Sequence, residues 1–377
     1  MTFSVLAVVG VAGLLGPLLA LAPRARIPVV VGELAAGIIV GPLLLGVVDP
    51  GQPTLMFLAQ TGFALVMFAV GSHVPVLDAR LRAGLGIAAA RCAAVGVAAV
   101  PLAYGIGRAF GTGHTALYAV LLASSSAALI LPIVQGAHLE GRAVLELLPQ
   151  VAIADAACIV ALPLAIDPSH AWRAVWGALA VIGAVAVFFV GLRFAERRGW
   201  RKRLHDVSEE RRFALELRIN LVVLFSLAAL AKAGGVSLLL AGFGFGLAVA
   251  GIGEPRRLAK QVFAVTEGFF GPLFFVWLGA SLDLGALGRQ PSLIGLGIAL
   301  GLGAVLAHLV TIGLRQPSAF AALAAAQLGV PVAAATLGTT SHVLSAGEPA
   351  ALILGALVTI AVSTAIGPKL SGEAQRR

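Results

Sequence analysis

The chain has 377 residues, of which 59% are hydrophobic and only 11% are charged, and its formal net charge is +9. A soluble domain usually contains about 25% charged residues, so this composition excludes a soluble globular protein. Nucleic acid is also excluded as the partner of the positive charge, because the basic residues follow a pattern of membrane topology. The composition therefore predicts an all-α polytopic membrane protein that sits in lipid.

About thirteen apolar stretches have the roughly 20 residues that a helix needs to cross a bilayer. In chain order, the predicted spans are 3–22, 27–47, 54–74, 83–107, 115–137, 144–166, 173–194, 213–232, 236–252, 262–281, 292–314, 318–340 and 349–367. With the N-terminus outside, the outer segments hold only Arg108, Arg173, Lys232 and Arg289. This distribution satisfies the positive-inside rule. It predicts a multi-pass protein of the cell membrane with a cytoplasmic C-terminus.

The longest polar segment, 196–212, divides the predicted spans into six, one linking span and six. Two six-span units separated by one span must face opposite ways across the membrane, which is the arrangement of an inverted repeat. We therefore predict a single membrane transport domain over residues 1–377, with repeats at about 1–166 and 213–367 and a linker helix at 173–194. No soluble regulatory domain is expected.

Spans 5 and 12 occupy corresponding places in the two halves, and both are predicted to be discontinuous helices. Serines and a proline interrupt span 5, and an amide, a glycine and a proline interrupt span 12: Ser124, Ser125, Ser126, Pro132; Gln327, Gly329, Pro331. Paired interruptions of this kind point to the binding site of a transporter. Unwound backbone at membrane depth is tolerated only inside protein or along a cavity. Ordinary packing of small residues is the alternative interpretation.

Asp155 lies in the middle of span 6, where a carboxylate costs about 2.5–3.5 kcal/mol on insertion scales. A carboxylate is a hard oxygen ligand that suits Na⁺ or K⁺, and it can take a proton instead. One site that binds either, and opens alternately to each side, is sufficient for exchange. A structural hydrogen bond to a neighbouring helix is the alternative. His308, within span 11, could be a pH-linked partner of Asp155 or could simply bond across helices.

Five segments together resemble the monovalent cation/proton antiporter superfamily, in its branch of Kef-like and bacterial Na⁺(K⁺)/H⁺ antiporters. They are "PVVVGELAAGIIVGPLLLG", "LAQTGFALVMFAVGSHV", "ASSSAALILPIVQ", "IADAACIVALPL" and "FFGPLFFVWLGASLDL". The resemblance implies a homodimer with a dimerisation domain and a moving core that carries crossed, broken helices. It implies an elevator-type motion and no cofactor besides the transported Na⁺ or K⁺. The ion-binding carboxylate of the family maps onto Asp155, and its basic core residue maps onto His308.

The chain departs from the pattern of this family at several polar positions. Ala154 precedes Asp155 where the family usually has Asp, Asn or Gln, and Gln60, His73 and Val330 stand where acidic residues are common. Because one carboxylate remains, we expect electroneutral exchange of one cation for one proton.

The sequence predicts an antiporter that exchanges Na⁺ or K⁺ for H⁺, with Asp155 as the shared site. One alternative is a Kef-like gated potassium efflux pathway, for which a separate cytoplasmic subunit could supply the regulatory domain. Another is an organic-anion carrier of the same fold, and a third is a sensor inactive in transport. An enzyme is not expected, because no nucleophile–base pair or metal-ligand cluster stands out in the sequence.

Overall fold

The computed structural model describes residues 2–21, 28–72, 79–136, 139, 141–166, 171–199, 214–253 and 256–374. Within these residues, the first half of the chain contains nine helices: α1 (Phe3–Gly13), α2 (Leu15–Ala20), α3 (Val29–Val40), α4 (Pro53–Ser72), α5 (Ala79–Phe110), α6 (Thr115–Ala123), α7 (Ala127–Gly136), α8 (Arg142–Ile166) and α9 (Ala171–Arg197). The second half forms α10 (Leu215–Ala233), α11 (Leu238–Ala250), α12 (Arg256–Val265), α13 (Gly271–Ser281), α14 (Leu284–Arg289), α15 (Pro291–Leu309), α16 (Ser318–Ala324), α17 (Gly329–Thr340) and α18 (Glu348–Ala374). A π-helical turn, Thr266–Phe270, joins α12 to α13, and a 3-10 turn, Val310–Leu314, follows α15.

The helices agree with the predicted all-helical membrane fold and with about thirteen crossings. Among the described residues, ten helical stretches are long and apolar enough to span a bilayer. Two shorter apolar helices, α3 and α11, correspond to spans 2 and 9. The broken segment α6–α7 corresponds to span 5 and completes the predicted set.

Span 2 is shorter than predicted. Helix α3 ends at Val40 instead of continuing to residue 47. Gly41 and Pro42 follow directly, and a proline ring is incompatible with a continuing helix. Leu43, Leu44 and Leu45 lie in the turn that follows, and their side chains are exposed. Their apolar character had extended the predicted span beyond the helix.

The described chain divides into two compact units that alternate along the sequence. Unit 1 comprises Met1–Leu18, Gly32–Leu77 and Trp172–Ser281, and unit 2 comprises Leu19–Val31, Asp78–Ala171 and Leu282–Arg377. Spans 5 and 12 both fall in unit 2, together with the helix that carries Asp155.

Unit 1 is held together by glycines at helix crossings and by stacked aromatic rings. Helices α4 and α11 pack closely, and a side chain on Gly246 of α11 would collide with the carbonyl oxygen of Phe68. Phe68 also stacks on Phe245 with 4.8 Å between ring centroids. Small residues let membrane helices approach to backbone contact, where van der Waals packing stabilises them.

Unit 2 is built around α8, which packs against α5, α6 and α7 and also against α16 and α17. Within this unit Arg91 of α5 is buried, with 2% of its side chain exposed, and its Nη2 atom donates to Glu146 of α8 at 2.9 Å. The same guanidinium donates to the carbonyl oxygen of Leu314 at 3.2 Å. These bonds tie α5 and α8 to the turn that leads into α16.

Candidate ion-binding site

The first helix break lies between α6 and α7. The helix ends at Ala123 and resumes at Ala127, and Ser124 has extended backbone angles, φ −76° and ψ 151°. Serine hydroxyls compete with the backbone for hydrogen bonds, and the Ser124 hydroxyl does so by donating to the carbonyl oxygen of Leu121 at 2.9 Å. Three consecutive serines therefore interrupt the helix where a discontinuous span was predicted.

The second break lies between α16, which ends at Ala324, and α17, which begins at Gly329. Leu328 has φ −147° and ψ −55°, outside the helical range. Pro331 falls in the first turn of α17, where backbone N–H groups have no partner inside the helix. The proline therefore starts the second half-helix without losing a hydrogen bond. Span 12 is discontinuous, as predicted.

The two breaks contact each other through side chains separated by about half of the sequence. The Ser124 hydroxyl lies within hydrogen-bond distance of Gln327 Oε1. The Ser125 hydroxyl donates to the carbonyl oxygen of Ala324, the last residue of α16. Three of the predicted site residues thus meet at one place, together with a carbonyl group at the end of a half-helix.

Asp155 approaches the same place from α8. Only 4% of its surface is exposed, and its Oδ2 atom accepts a hydrogen bond of 3.3 Å from the backbone nitrogen of Ala127. Ala127 is the first residue of α7, and the N-terminus of a helix carries a partial positive charge that favours an anion. The carboxylate therefore lies directly at the first break.

His308 of α15 approaches the serines from another direction and is also buried. Its Nδ1 atom lies 2.9 Å from the carbonyl oxygen of Ala304. Its Nε2 atom lies 3.4 Å from the Ser125 hydroxyl. In the described structure its hydrogen-bond partners are these two groups rather than Asp155, so any link between the histidine and the carboxylate runs through the serine segment.

The remaining predicted residues are placed as follows. Ser126 is buried, with 2% of its surface exposed, and its carbonyl oxygen accepts the backbone N–H groups of Leu129 and Ile130 in α7. Gly329 is the first residue of α17. Pro132 lies within α7, and its side chain is outside the described part of the structure.

Sequence reasoning missed Thr359 of α18. Its hydroxyl oxygen accepts the backbone N–H of Gln327 at 3.2 Å. A buried hydroxyl in the middle of span 13 was the available signal. It was uninformative on its own, because threonines in membrane helices commonly bond their own backbone.

The donor set at the breaks is suited to a monovalent cation. Within the described part of the chain, no group of three or more His, Cys, Asp or Glu side chains could hold a metal ion. The two breaks instead offer one carboxylate, that of Asp155, together with the hydroxyl, amide and carbonyl oxygens of Ser124, Ser125, Gln327 and Ala324. Oxygen ligands with a single full negative charge match the hard, singly charged ions Na⁺ and K⁺ better than a transition metal.

The sequence profile described as "Sodium/hydrogen exchanger, transmembrane" matches residues 10–371, and the chain belongs to this family. The chain is also similar to three curated proteins, and none of the identities exceeds 26%. YjbQ of Bacillus subtilis is 25% identical over 379 residues, covering 94% of this chain. The Na(+)/H(+) antiporter NhaS5 of Synechocystis is 26% identical over 302 residues, covering 78% of this chain. The Na(+)/H(+)-K(+) antiporter GerN of Bacillus cereus is 24% identical over 343 residues, covering 87% of this chain.

The chain spans 60% of the length of YjbQ, 42% of NhaS5 and 81% of GerN. Among solved structures, the sodium proton antiporter MjNhaP1 from Methanocaldococcus jannaschii matches with a TM-score of 0.69 and 16% identity. That match covers 99% of this chain and 98% of MjNhaP1. It shows that the two proteins share a fold from end to end. The chain is therefore a multi-pass membrane protein with the fold of this antiporter.

Proposed function

We propose that this protein exchanges Na⁺ or K⁺ for H⁺, with Asp155 as the group that both ions use. The observation that carries the proposal is the position of Asp155: a buried carboxylate at the break of a membrane helix, held by the backbone nitrogen of Ala127. A carboxylate buried without a counter-charge is costly. Binding a cation removes that cost, and so does binding a proton, so each ion excludes the other.

The hydroxyl groups at the breaks support a cation site because they can free their oxygens. The single proton of Ser124 can serve either Leu121 O or Gln327 Oε1. When it points to Leu121, the oxygens of Ser124 and Gln327 both offer lone pairs to a cation. When no cation is present, the same proton satisfies the amide oxygen, so the empty site keeps its hydrogen bonds.

His308 is proposed as a second proton-linked group that acts through Ser125. The carbonyl of Ala304 can only accept, so Nδ1 of His308 carries a proton. In the neutral ring Nε2 is then an acceptor for the Ser125 hydroxyl. In the protonated ring Nε2 is a donor, and it donates to the Ser125 oxygen. The Ser125 hydroxyl can then donate its own proton only to the carbonyl oxygen of Ala324. Protonation of His308 would therefore withdraw that carbonyl from cation binding.

The proposal also covers how the protein moves, how it assembles and how it is oriented in the membrane. We propose an elevator-type movement of unit 2, which contains both broken segments, and a homodimer in the membrane with the C-terminus in the cytoplasm. A gated potassium efflux pathway is the second candidate, because one relative, GerN, is a Na(+)/H(+)-K(+) antiporter. A regulatory subunit would belong to that candidate. An organic anion is disfavoured, because the charged group at the breaks is itself a carboxylate.

Purified protein in proteoliposomes with an internal pH dye tests the exchange. A pH gradient is imposed, and Na⁺, K⁺ or choline is then added outside. The proposal expects Na⁺ or K⁺ to collapse the gradient and choline to have no effect, and the more effective salt identifies the cargo. A pH gradient that neither Na⁺ nor K⁺ collapses would refute the proposal. Potassium flux without proton movement would favour the efflux pathway.

A further inference from the structure

Thr359 is a fully buried residue in the middle of α18, with no exposed surface. Its hydroxyl donates to the carbonyl oxygen of Ala356 at 2.7 Å, within its own helix. Because the only hydroxyl proton is used there, the oxygen presents a lone pair to the outside of the helix. That lone pair accepts the backbone N–H of Gln327 at 3.2 Å.

Gln327 needs this acceptor because it lies within the second break, after α16 has ended and before α17 begins. The preceding nitrogens, of Ala325 and Ala326, still bond back to carbonyls of the last turn of α16. The nitrogen of Gln327 bonds to Thr359 instead. An unpaired backbone N–H at membrane depth is strongly unfavourable, so this one contact fixes where the backbone turns.

The backbone of Gln327 in turn positions the side-chain oxygen that faces Ser124. A rotation of the backbone at this residue would move Oε1 away from the first break. Ser124, Gln327 and Thr359 therefore form one chain of contacts from the first broken segment, through the second, to α18. All three side chains are at least 98% buried.

We propose that Thr359 is a positioning residue that sets the cation affinity and the Na⁺/K⁺ preference of the site. It does not touch the ion; it holds the amide oxygen of Gln327 at the distance that the preferred ion requires. Na⁺ and K⁺ both take oxygen ligands, so the spacing of those ligands is what can separate them. This inference rests on the proposed exchange function and adds to it the residue that determines selectivity.

Three variants test the inference in proteoliposomes. Thr359→Val keeps the shape and removes the acceptor, and Thr359→Ser keeps the hydroxyl. The control is Thr364→Val on the same helix, because the Thr364 hydroxyl donates to Ala361 O in an exposed hydrogen bond and, among the described residues, bonds to no other helix. The KM and the maximal rate are measured for Na⁺ and for K⁺, together with the Tm of the detergent-purified protein.

We expect Thr359→Val to raise the KM for the preferred cation about tenfold, as for one lost hydrogen bond, and to change the Na⁺/K⁺ ratio of kcat/KM. Thr359→Ser and Thr364→Val should resemble the wild type. If Thr359→Val lowers the Tm or the maximal rate and leaves the Na⁺/K⁺ ratio unchanged, its role is general support and the inference is overturned. An unchanged variant overturns it as well.

A variant that does not fold and a wild type that does not transport are treated separately. If the valine variant does not fold, Thr359→Ala removes the hydroxyl without adding bulk, and the same changes in KM and ion preference are expected. If the wild type exchanges neither ion, the proposed function itself fails and the inference falls with it. Active wild type with an unaltered Thr359 variant refutes the inference alone.

Discussion

The Oδ2 atom of Asp155 lies 3.3 Å from the backbone nitrogen of Ala127, the first residue of the half-helix that follows the serine break. None of the described hydrogen bonds or ion pairs of Asp155 involves a basic side chain. The positive end of a half-helix offsets only about half an elementary charge. In the proposed function, the rest of the charge is left for a mobile cation or a proton, and this competition would be the physical basis of exchange at the site.

The first prediction concerns how steeply the KM for the cation rises as the pH falls. If Asp155 and His308 both oppose cation binding when protonated, the KM of the wild type rises with acidity more steeply than one titrating group allows. In His308→Gln, which keeps a polar side chain but cannot titrate, the logarithm of KM should change with a slope of about one per pH unit at the acidic end. Initial exchange rates measured over a pH series check this.

Equal slopes in the wild type and in His308→Gln would remove His308 from the mechanism. The control is His342→Gln. His342 lies in the exposed turn after α17 and should leave the slope unaltered.

The second prediction is that exchange is electroneutral. One carboxylate at the breaks can trade one proton for one monovalent cation, so each cycle moves no net charge. The exchange rate should therefore be independent of a membrane potential clamped with valinomycin and K⁺ gradients. Sodium-driven exchange should likewise generate no potential that a voltage-sensitive dye can detect. A current that depends on Asp155 would require a second transported charge.

The third prediction separates two arginines that share Glu146. Arg91 is buried and donates to Glu146 at 2.9 Å, whereas Arg142 is 92% exposed and contacts the same carboxylate at 2.7 Å. Glu146→Gln leaves the buried guanidinium without its counter-charge, and this should cost about 3 kcal/mol of stability. Arg142→Gln should leave the Tm nearly unchanged, because exposed ion pairs contribute little. Thermal unfolding in detergent measures both variants.

Similar loss of stability in Glu146→Gln and Arg142→Gln would contradict this assignment. A Tm of Glu146→Gln equal to that of the wild type would also contradict it, because the buried charge of Arg91 would then not need Glu146.

The fourth prediction concerns two glycines of the same helix, α11. A Cβ at Gly246 would collide with the carbonyl oxygen of Phe68 on α4, whereas a Cβ at Gly244 would meet Val185 at an ordinary 3.7 Å. Gly246→Ala should therefore separate α4 from α11 and lower the Tm. Gly244→Ala should be neutral or slightly stabilising, because alanine favours the helix. The reverse order of the two Tm values would show that this helix crossing is wrongly assigned.

Much of the fold was predictable because the signals are local. Apolar length marks the spans, and the serines at 124–126 and the Gly-Val-Pro at 329–331 mark both breaks. The end of α3 at Val40 was not predicted, because leucines beyond Gly41-Pro42 continue the apolar pattern without continuing the helix. Local hydropathy cannot distinguish an apolar turn from an apolar helix.

The sequence indicated which residues belong to the candidate site better than it indicated which of them contact each other. Asp155 and the serines stand out as polar groups inside apolar stretches. The pairing of Ser124 with Gln327 joins residues 203 positions apart, and only the tertiary packing of α6, which contacts α15 and α17, brings them together. Thr359 was not predicted, because its proposed role depends on its hydroxyl oxygen accepting a hydrogen bond from the backbone of Gln327, far away in the sequence. The grouping of the helices into two alternating units likewise depends on packing that hydropathy does not encode.

The most direct test of the central claim compares Asp155→Asn with the wild type in proteoliposomes that carry an imposed pH gradient. Asparagine keeps the shape of the side chain and can still accept a hydrogen bond from Ala127, but it can neither take a proton nor supply a negative charge. The control is Asp283→Asn, because Asp283 is 51% exposed and caps α14. Our account predicts that Na⁺ or K⁺ collapses the gradient with the wild type and Asp283→Asn, and that Asp155→Asn is inactive although folded. Cation-driven proton movement at the wild-type rate in Asp155→Asn would contradict it.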